Sequence, residues 1–298
     1  MRIIVGLIIV VCLLPGVAAA DRALDAGVIE FEQDQSVLIQ THDDRDLIYL
    51  VDRPKVDRKL PILMLIDGSG CVGQSRPDIG DFYRPVAIRT SLQPYARLRV
   101  EKPGVGHADD WPQESCSEDF LKHYTVDKRV EDHLRVLQHL RASADWWNGE
   151  VLIFGWSDGG DIGTRLSAYY PDVMRAVLGG MGGGIPMAQH FEEDWICSDA
   201  AQVGDHEGCV ASLRKEFQRM ADNPTWKRTW SGEDNSWRVW ASRLFSTTTA
   251  LLVDNHTPVL IVHGRRILIH FLFAALANLS RNLPPQVMMH SNTGKWSV

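Results

Sequence analysis

The stretch that decides the fold is Val151-Leu152-Ile153-Phe154-Gly155-Trp156-Ser157-Asp158-Gly159-Gly160. Four apolar residues run straight into Gly-Trp-Ser-Asp-Gly, and a helix-like pattern follows from Asp161 to Tyr170. This order predicts a buried strand that turns sharply into a helix. On such a turn the Ser takes a strained backbone conformation, and the glycines two positions to either side let neighbouring backbone come close. Glycine is about 7% of residues in general, so a bare G-x-S-x-G pentapeptide says little. The strand before it and the helix after it give it meaning. Ser157 is the candidate nucleophile, and the following helix N-terminus favours negative charge developing on a nearby oxygen.

Outward from this unit, apolar and β-branched segments alternate with helical patterns, as expected for βαβ units and a mostly parallel sheet. Val28 to Phe31 and Leu47 to Val51 read as leading strands. Leu60 to Ile66 is a continuous apolar run that ends in the turn Asp67-Gly68-Ser69-Gly70. Leu98 to Glu101 reads as a strand closed by Lys102-Pro103-Gly104, and Asp127 to Arg141 as a helix with Val130, His133, Leu134, Leu137 and Leu140 on its apolar side. Met174 to Leu178 and Pro258 to Val262 are further strands. Between them, Ile185 to Thr249 is polar, helical in pattern and carries Trp195, Trp226, Trp230, Trp237 and Trp240. That is too long for a loop in a compact domain, so a helical insertion is expected.

The chain begins with Arg2, an apolar run from Ile3 to Leu14, and then Pro15, Gly16 and Ala18-Ala19-Ala20. About twelve apolar residues fall short of the ~20 of a spanning helix, so residues 1–20 read as a secretory signal cleaved after Ala20. No later segment reaches spanning length, and no stable membrane span is expected after cleavage. The formal net charge of −7 becomes −8 without Arg2, and the basic residues are scattered. A nucleic-acid partner would call for a concentrated positive face, so none is expected. Four cysteines remain after export: Cys71, Cys116, Cys197 and Cys209. An even count in an oxidising compartment reads as two disulfides, with three connectivities open. Cys197 and Cys209 flank a short polar loop and are paired locally, which leaves Cys71 with Cys116. His107, Asp109 and Asp110 lack any ligand spacing and read as a solvated loop, so no metal is expected.

With these residues quoted, the chain from about 28 to 264 resembles the α/β-hydrolase superfamily, closest to exported bacterial hydrolases with a Gly-Ser-Gly-Cys turn after the third strand. The resemblance implies a mostly parallel sheet flanked by helices, with residues 21–184 and 250–298 as the core and 185–249 as a helical cap. It implies oxyanion-hole donors at the backbone N–H groups of Ser69 and Asp158. It also implies cofactor-free hydrolysis of an ester, thioester or amide through an acyl-enzyme, on a small-molecule ester or peptide-like substrate, in the periplasm or outside the cell. Val100 to Gly106 is similar to the family's turn after the fourth strand. The tryptophans of the cap would line a pocket for an apolar acyl group, or pack a small subdomain of their own.

A serine nucleophile needs a His to take its proton and a carboxylate to orient that His. In the superfamily the acid follows the strand here spanning Pro258 to Val262, and Ile267 stands in its place. No Asp or Glu occurs after Asp254, the nearest carboxylate upstream. Asp158 and Asp161 lie in the first turn of a helix, where the macrodipole accounts for them. For the base, position favours His290, after the strand-like run Gln286 to Met289. His263 reads as structural, at the end of a buried strand. The tail is atypical from about residue 265: Ile267 to Ser280 is apolar nearly all round, and only Arg281 and Lys295 are charged in the last 32 residues. A shifted reading frame from near Arg265 accounts for this. The alternative frame forces Asp-Ala across Met288-Met289-His290 and permits Asp at the junction of Arg266 and Ile267. A catalytically impaired or truncated relative is the competing expectation.

Overall fold

The computed structural model describes residues 35–74, 94–106, 116–180, 184–192, 196–197, 204–230, 235–262 and 288–290. Val28 to Phe31, residues 1–20, the His107 to Asp110 run and the Ile267 to Ser280 segment lie outside them. Eight strands are described: β1 (Gln35–Gln40), β2 (Asp46–Asp52), β3 (Leu60–Ile66), β4 (Ala96–Val100), β5 (Trp147–Trp156), β6 (Val173–Gly179), β7 (Val259–Val262) and β8 (Met288–His290). They form one sheet in the order β1-β2-β4-β3-β5-β6-β7-β8. β2 runs antiparallel to both β1 and β4, and every other pair is parallel. A mixed sheet with this order and this one reversed strand, flanked by helices, is the α/β-hydrolase fold.

Both faces of the sheet are buried, which is why β3 and β5 read as unbroken apolar runs and not as alternating ones. Successive side chains of a strand point to opposite faces. Leu60, Ile62, Met64 and Ile66 therefore join Val151 and Ile153 in one core, with Leu63 and Leu65 joining Leu152, Phe154, Val177 and Leu260 in the other. The first core is closed by α2 (Val126–Ser143) and α3 (Asp158–Tyr169), through Val130, Val136, Leu137, Leu140, Ile162 and Leu166; α1 (Glu118–His123) precedes them. α2 starts where Thr125 caps it, its hydroxyl accepting from the Lys128 N–H at 3.2 Å. His133 lies wholly buried on the apolar side of α2, and burial holds its pKa well below the ordinary imidazole value. It is a neutral core residue.

Between β6 and β7 the described residues form four helices: α4 (Met187–His190), α5 (His206–Asp222), α6 (Trp237–Arg243) and α7 (Thr249–Val253). They carry a core of their own, built from Met187, Ala188, Phe191, Phe217, Met220, Trp237, Trp240 and Leu244, with Trp230 packed against it. The rings of Phe191, Phe217, Trp230 and Trp240 meet edge-on or tilted at 5.3–5.9 Å between centroids. Of the two roles expected for the tryptophans, Trp230, Trp237 and Trp240 fill the packing one. Trp237 and Trp240 are buried.

The cysteines pair as Cys71–Cys116 and Cys197–Cys209. Among the described residues no helix is long and apolar enough to cross a membrane. No cluster of His, Cys, Asp or Glu there could hold a metal ion.

Candidate active site

In an open α/β sheet, ligands bind beyond the carboxyl ends of the parallel strands, where the chain reverses its direction of winding. Here that point falls between β3 and β5. From β3 the chain crosses to β4 on one side, and from β4 it passes back over β3 to β5 on the other. The turn after β3 and the turn after β5 are therefore neighbours. A Cβ built on Gly68 would lie 3.0 Å from the Ser157 Cβ and 3.4 Å from its Oγ.

Ser157 itself has φ 56° and ψ −121°, one of two non-glycine residues with positive φ among those described. Such a conformation costs about 1–3 kcal/mol and persists only where the surroundings over-determine it. The Ser157 N–H donates to the Gly179 carbonyl at 2.8 Å, and its own carbonyl accepts from the Gly160 N–H at 2.8 Å. A Cβ on Gly159 would overlap the carbonyl of Ile66 in β3, and one on Gly155 would overlap the carbonyl of Gly159. The two glycines of the pentapeptide are thus required by backbone approach. The ring of Trp156 lies on Gly179, where a Cβ would again intrude.

An ordinary Ser preceding a helix would cap it, accepting from an N–H one turn in, with extended backbone angles. Ser157 stands at the cap position of α3 but makes no capping hydrogen bond. It is half-buried. Asp158 opens α3, and the N–H groups of a helix's first turn have no intrahelical acceptor. Ser69 is exposed, one residue beyond Gly68.

The carboxylates nearest Ser157 in sequence are engaged below the turn. Asp158 is buried, accepts from the Tyr124 hydroxyl at 3.0 Å and forms an ion pair with Arg243 of α6. Burial first, then the Asp158 charge, pushes the Tyr124 hydroxyl well above its ordinary pKa and keeps it a donor. Asp161 accepts from the Thr248 hydroxyl at 3.4 Å, and burial raises its carboxyl to about 6 against the opposing pull of Arg243. Asp67, directly before the β3 turn, pairs with the fully buried Lys102, with Arg129 at 3.7 Å. Glu101 accepts from the Gln74 N–H at 2.9 and 2.8 Å and so ties down the chain beyond Cys71. The Val100 to Gly106 stretch contributes these anchors, Glu101 and Lys102.

Of the remaining candidates, His290 ends β8. Ladder partners place Trp156, Gly179, Val262 and His290 in one row across the carboxyl edge of the sheet. At strand spacing, three steps along that row separate the backbones of Trp156 and His290 by about 14 Å. Asp254, the fallback acid, is exposed and caps α7 before β7 begins. Since β7 and β5 point the same way, Asp254 sits at the amino edge of the sheet and Ser157 at the carboxyl edge, so it cannot orient a base at Ser157. Ile267 and His263 lie outside the described residues. The buried partners Tyr124, Lys102, Arg129 and Arg243 escape sequence reasoning.

No protein-family model matches this sequence, and nothing matches among curated proteins. Among solved structures, an esterase of Pyrococcus furiosus is similar over 91% of this chain and 83% of its own, with 14% identity and a TM-score of 0.49. Est1E from Butyrivibrio proteoclasticus is similar over 86% and 88%, with 14% identity and a TM-score of 0.48. A cold-adapted esterase from an Arctic intertidal metagenomic library is similar over 89% and 86%, with 13% identity and a TM-score of 0.47.

Proposed function

We propose that the protein is a serine hydrolase that cleaves an ester, thioester or amide through an acyl-enzyme on Ser157. One observation carries this reading: Ser157 is held at positive φ, off the helix cap, on a strand-to-helix turn at the point where the sheet reverses its winding. Strain of this kind, enforced by backbone packing from β3 and β6, is of use where a hydroxyl must be presented and not hydrogen-bonded away.

In the proposed reaction Ser157 Oγ attacks the carbonyl carbon and its proton passes to a histidine. The N–H groups of Ser69 and Asp158 receive the negative oxygen of the tetrahedral intermediate. The histidine then protonates the leaving alcohol, thiol or amine. Water, deprotonated by the same base, hydrolyses the acyl ester and frees Ser157. His290 is the proposed base because it alone among the histidines of the described strands stands on the carboxyl edge. Residues 21–184 and 250–298 form the proposed hydrolase core, and residues 185–249 the proposed cap. Export after cleavage at Ala20, to the periplasm or beyond, fits the two disulfides.

A second reading is favoured by a specific observation: no Asp or Glu follows Asp254, and Asp254 lies at the wrong edge. The chain as written then keeps the nucleophile and the fold but turns over slowly, because its base lacks an orienting acid. Treatment with a fluorophosphonate separates the possibilities. Wild-type protein is expected to be labelled on Ser157 and the Ser157→Ala variant not at all. Labelling that survives the substitution removes the assignment, and an unlabelled wild type favours the impaired relative.

A further inference from the structure

The insertion touches the candidate site from below, and through one helix face. Ser236, Val239 and Arg243 fall at i, i+3 and i+7 of α6, counted from its capping residue, and so share a side of the helix. The Ser236 hydroxyl caps α6, accepting from the Val239 N–H at 3.4 Å, and donates to the Leu121 carbonyl at 2.8 Å. Val239 is fully buried with Val105, Phe120 and Tyr124, against Cys71 and Cys116. One turn on, Arg243 reaches the Asp158 carboxylate, both side chains being almost wholly enclosed. The same helix therefore braces the disulfide beside the β3 turn and holds the residue after Ser157.

The chemistry of that last contact is not what stability alone would select. A buried ion pair loses so much hydration that well-packed apolar residues often stabilise as well or better. Arg243 is also sparingly used: its Nη2 meets Asp158, its guanidinium lies 4.9 Å over the Trp240 ring, and its Nε and Nη1 have no hydrogen-bond partner among the described residues. What the pair supplies is direction. Asp158 is fixed by two donors, the Arg243 guanidinium from the insertion and the Tyr124 hydroxyl from the end of α1, neither belonging to the strand-turn-helix unit that carries Ser157. The carboxylate they hold sits on the residue whose backbone N–H begins α3.

We propose that Arg243 is a positioning residue for the reaction at Ser157: by holding the Asp158 carboxylate it fixes the first turn of α3, and with it the N–H that faces the developing oxyanion. Docking of the insertion and competence of the oxyanion hole are then one event. The inference rests on the proposed roles of Ser157 as nucleophile and Asp158 as oxyanion donor. A donor displaced by about 1 Å loses on the order of 10²-fold in rate while leaving ground-state binding largely intact.

The full mature protein, with Arg243→Met and Arg243→Lys, is assayed on a short-chain aryl ester. Arg243→Met is expected to lower kcat by about 10–100-fold with KM changed less than about threefold, and Arg243→Lys to regain most of the loss. A trifluoromethyl ketone analogue should weaken by the same factor as kcat/KM, and the product acid should not. Amide hydrogen exchange supplies a readout independent of turnover. The peptide covering Asp158 to Gly160 should exchange at least about tenfold faster in Arg243→Met, with Leu152 to Phe154 unchanged. A folded Arg243→Met protein with wild-type kcat, or with unaltered exchange at the start of α3, overturns the proposal. Should the wild type hydrolyse no ester and resist the phosphonate, the hydrolase reading falls and the exchange result alone decides the placement of α3. If Arg243→Met does not fold, Tyr124→Phe removes the other donor: kcat lower by about threefold or more at constant KM supports the proposal, and unchanged kcat overturns it.

Discussion

The turn that bears Ser157 and the far edge formed by β7 and β8 lie in the same row of the sheet, yet they are built differently. Around Ser157 the backbones of β3, β5 and α3 approach so closely that Gly155 and Gly159 admit no side chain, the Trp156 ring covers Gly179, and buried ion pairs anchor the flanking Asp67 and Asp158. At the edge, β7 has four residues and β8 three, and β8 is the outermost strand among the described residues. The conformation of Ser157 is over-determined by contacts from distant parts of the chain. His290, the proposed base, ends a three-residue strand, and no carboxylate follows it in the sequence.

The largest test acts on the weak half. Restoring the alternative frame from Arg265 is expected to raise turnover on a short-chain aryl ester by about 10⁴-fold, the scale on which serine proteases depend on their orienting Asp. Equal turnover from the two proteins would remove the frameshift reading. In the repaired frame Asp-Ala replaces the stretch that now contains His290, and the base would come from another residue of the new tail.

Next come the two disulfides, one beside the β3 turn and one within the insertion. Cys71–Cys116 closes a 45-residue separation and Cys197–Cys209 a 12-residue one. Loop-closure entropy makes their removal cost about 4 and about 3 kcal/mol respectively. The double Cys→Ser change at Cys71 and Cys116 should also lower turnover, since the bridge lies beside the β3 turn, whereas the change at Cys197 and Cys209 should leave kcat within about twofold. Urea titration with parallel kinetics checks both; loss of kcat in the second variant would tie the insertion's disulfide to the site.

Overpacking the strong half gives a smaller but still large effect. Gly159→Ala forces a methyl into the Ile66 carbonyl and should cost about 3 kcal/mol, seen as a lower urea midpoint with an unchanged slope. A variant as stable as wild type would show that the elbow relaxes around a methyl, and that backbone approach does not require glycine at this position.

The smallest effect is pH-dependent. Asp161 titrates near 6 in the folded protein, above its ordinary 3.8, because burial disfavours its charge. The folded state then holds a proton that the unfolded state releases, so stability is greatest below about pH 4 and declines as pH rises through 6. Asp161→Asn should therefore stabilise the protein by no more than about 3 kcal/mol at pH 7.5 and by almost nothing at pH 4. An equal gain at both pH values would assign it to packing.

Much of the fold was legible in the sequence. Leu60 to Ile66 and Val151 to Phe154 read as buried strands because a strand covered on both faces is apolar at every position, and that is a local property. The pentapeptide at Ser157 read correctly as a strand-to-helix turn for the same reason. β1 did not: Gln35, Ser36 and Gln40 dilute an edge strand whose Leu38 is exposed, so the apolar pattern that marks a strand is absent. The insertion was visible as a change of composition, but composition could not say whether its tryptophans open a pocket or close a core. The reach of Arg243 to Asp158, Lys102 to Asp67 and Tyr124 to Asp158 had no sequence signature, since each joins residues far apart in the chain. Asp254 shows the same limit from the other side, for it is near the expected position in sequence and at the opposite edge in space. Local patterning alone set which segments are buried strands and which serine sits on a strand-to-helix turn. Only the tertiary structure decided what that serine is braced against, because bracing is made by backbone and charges that meet across the fold.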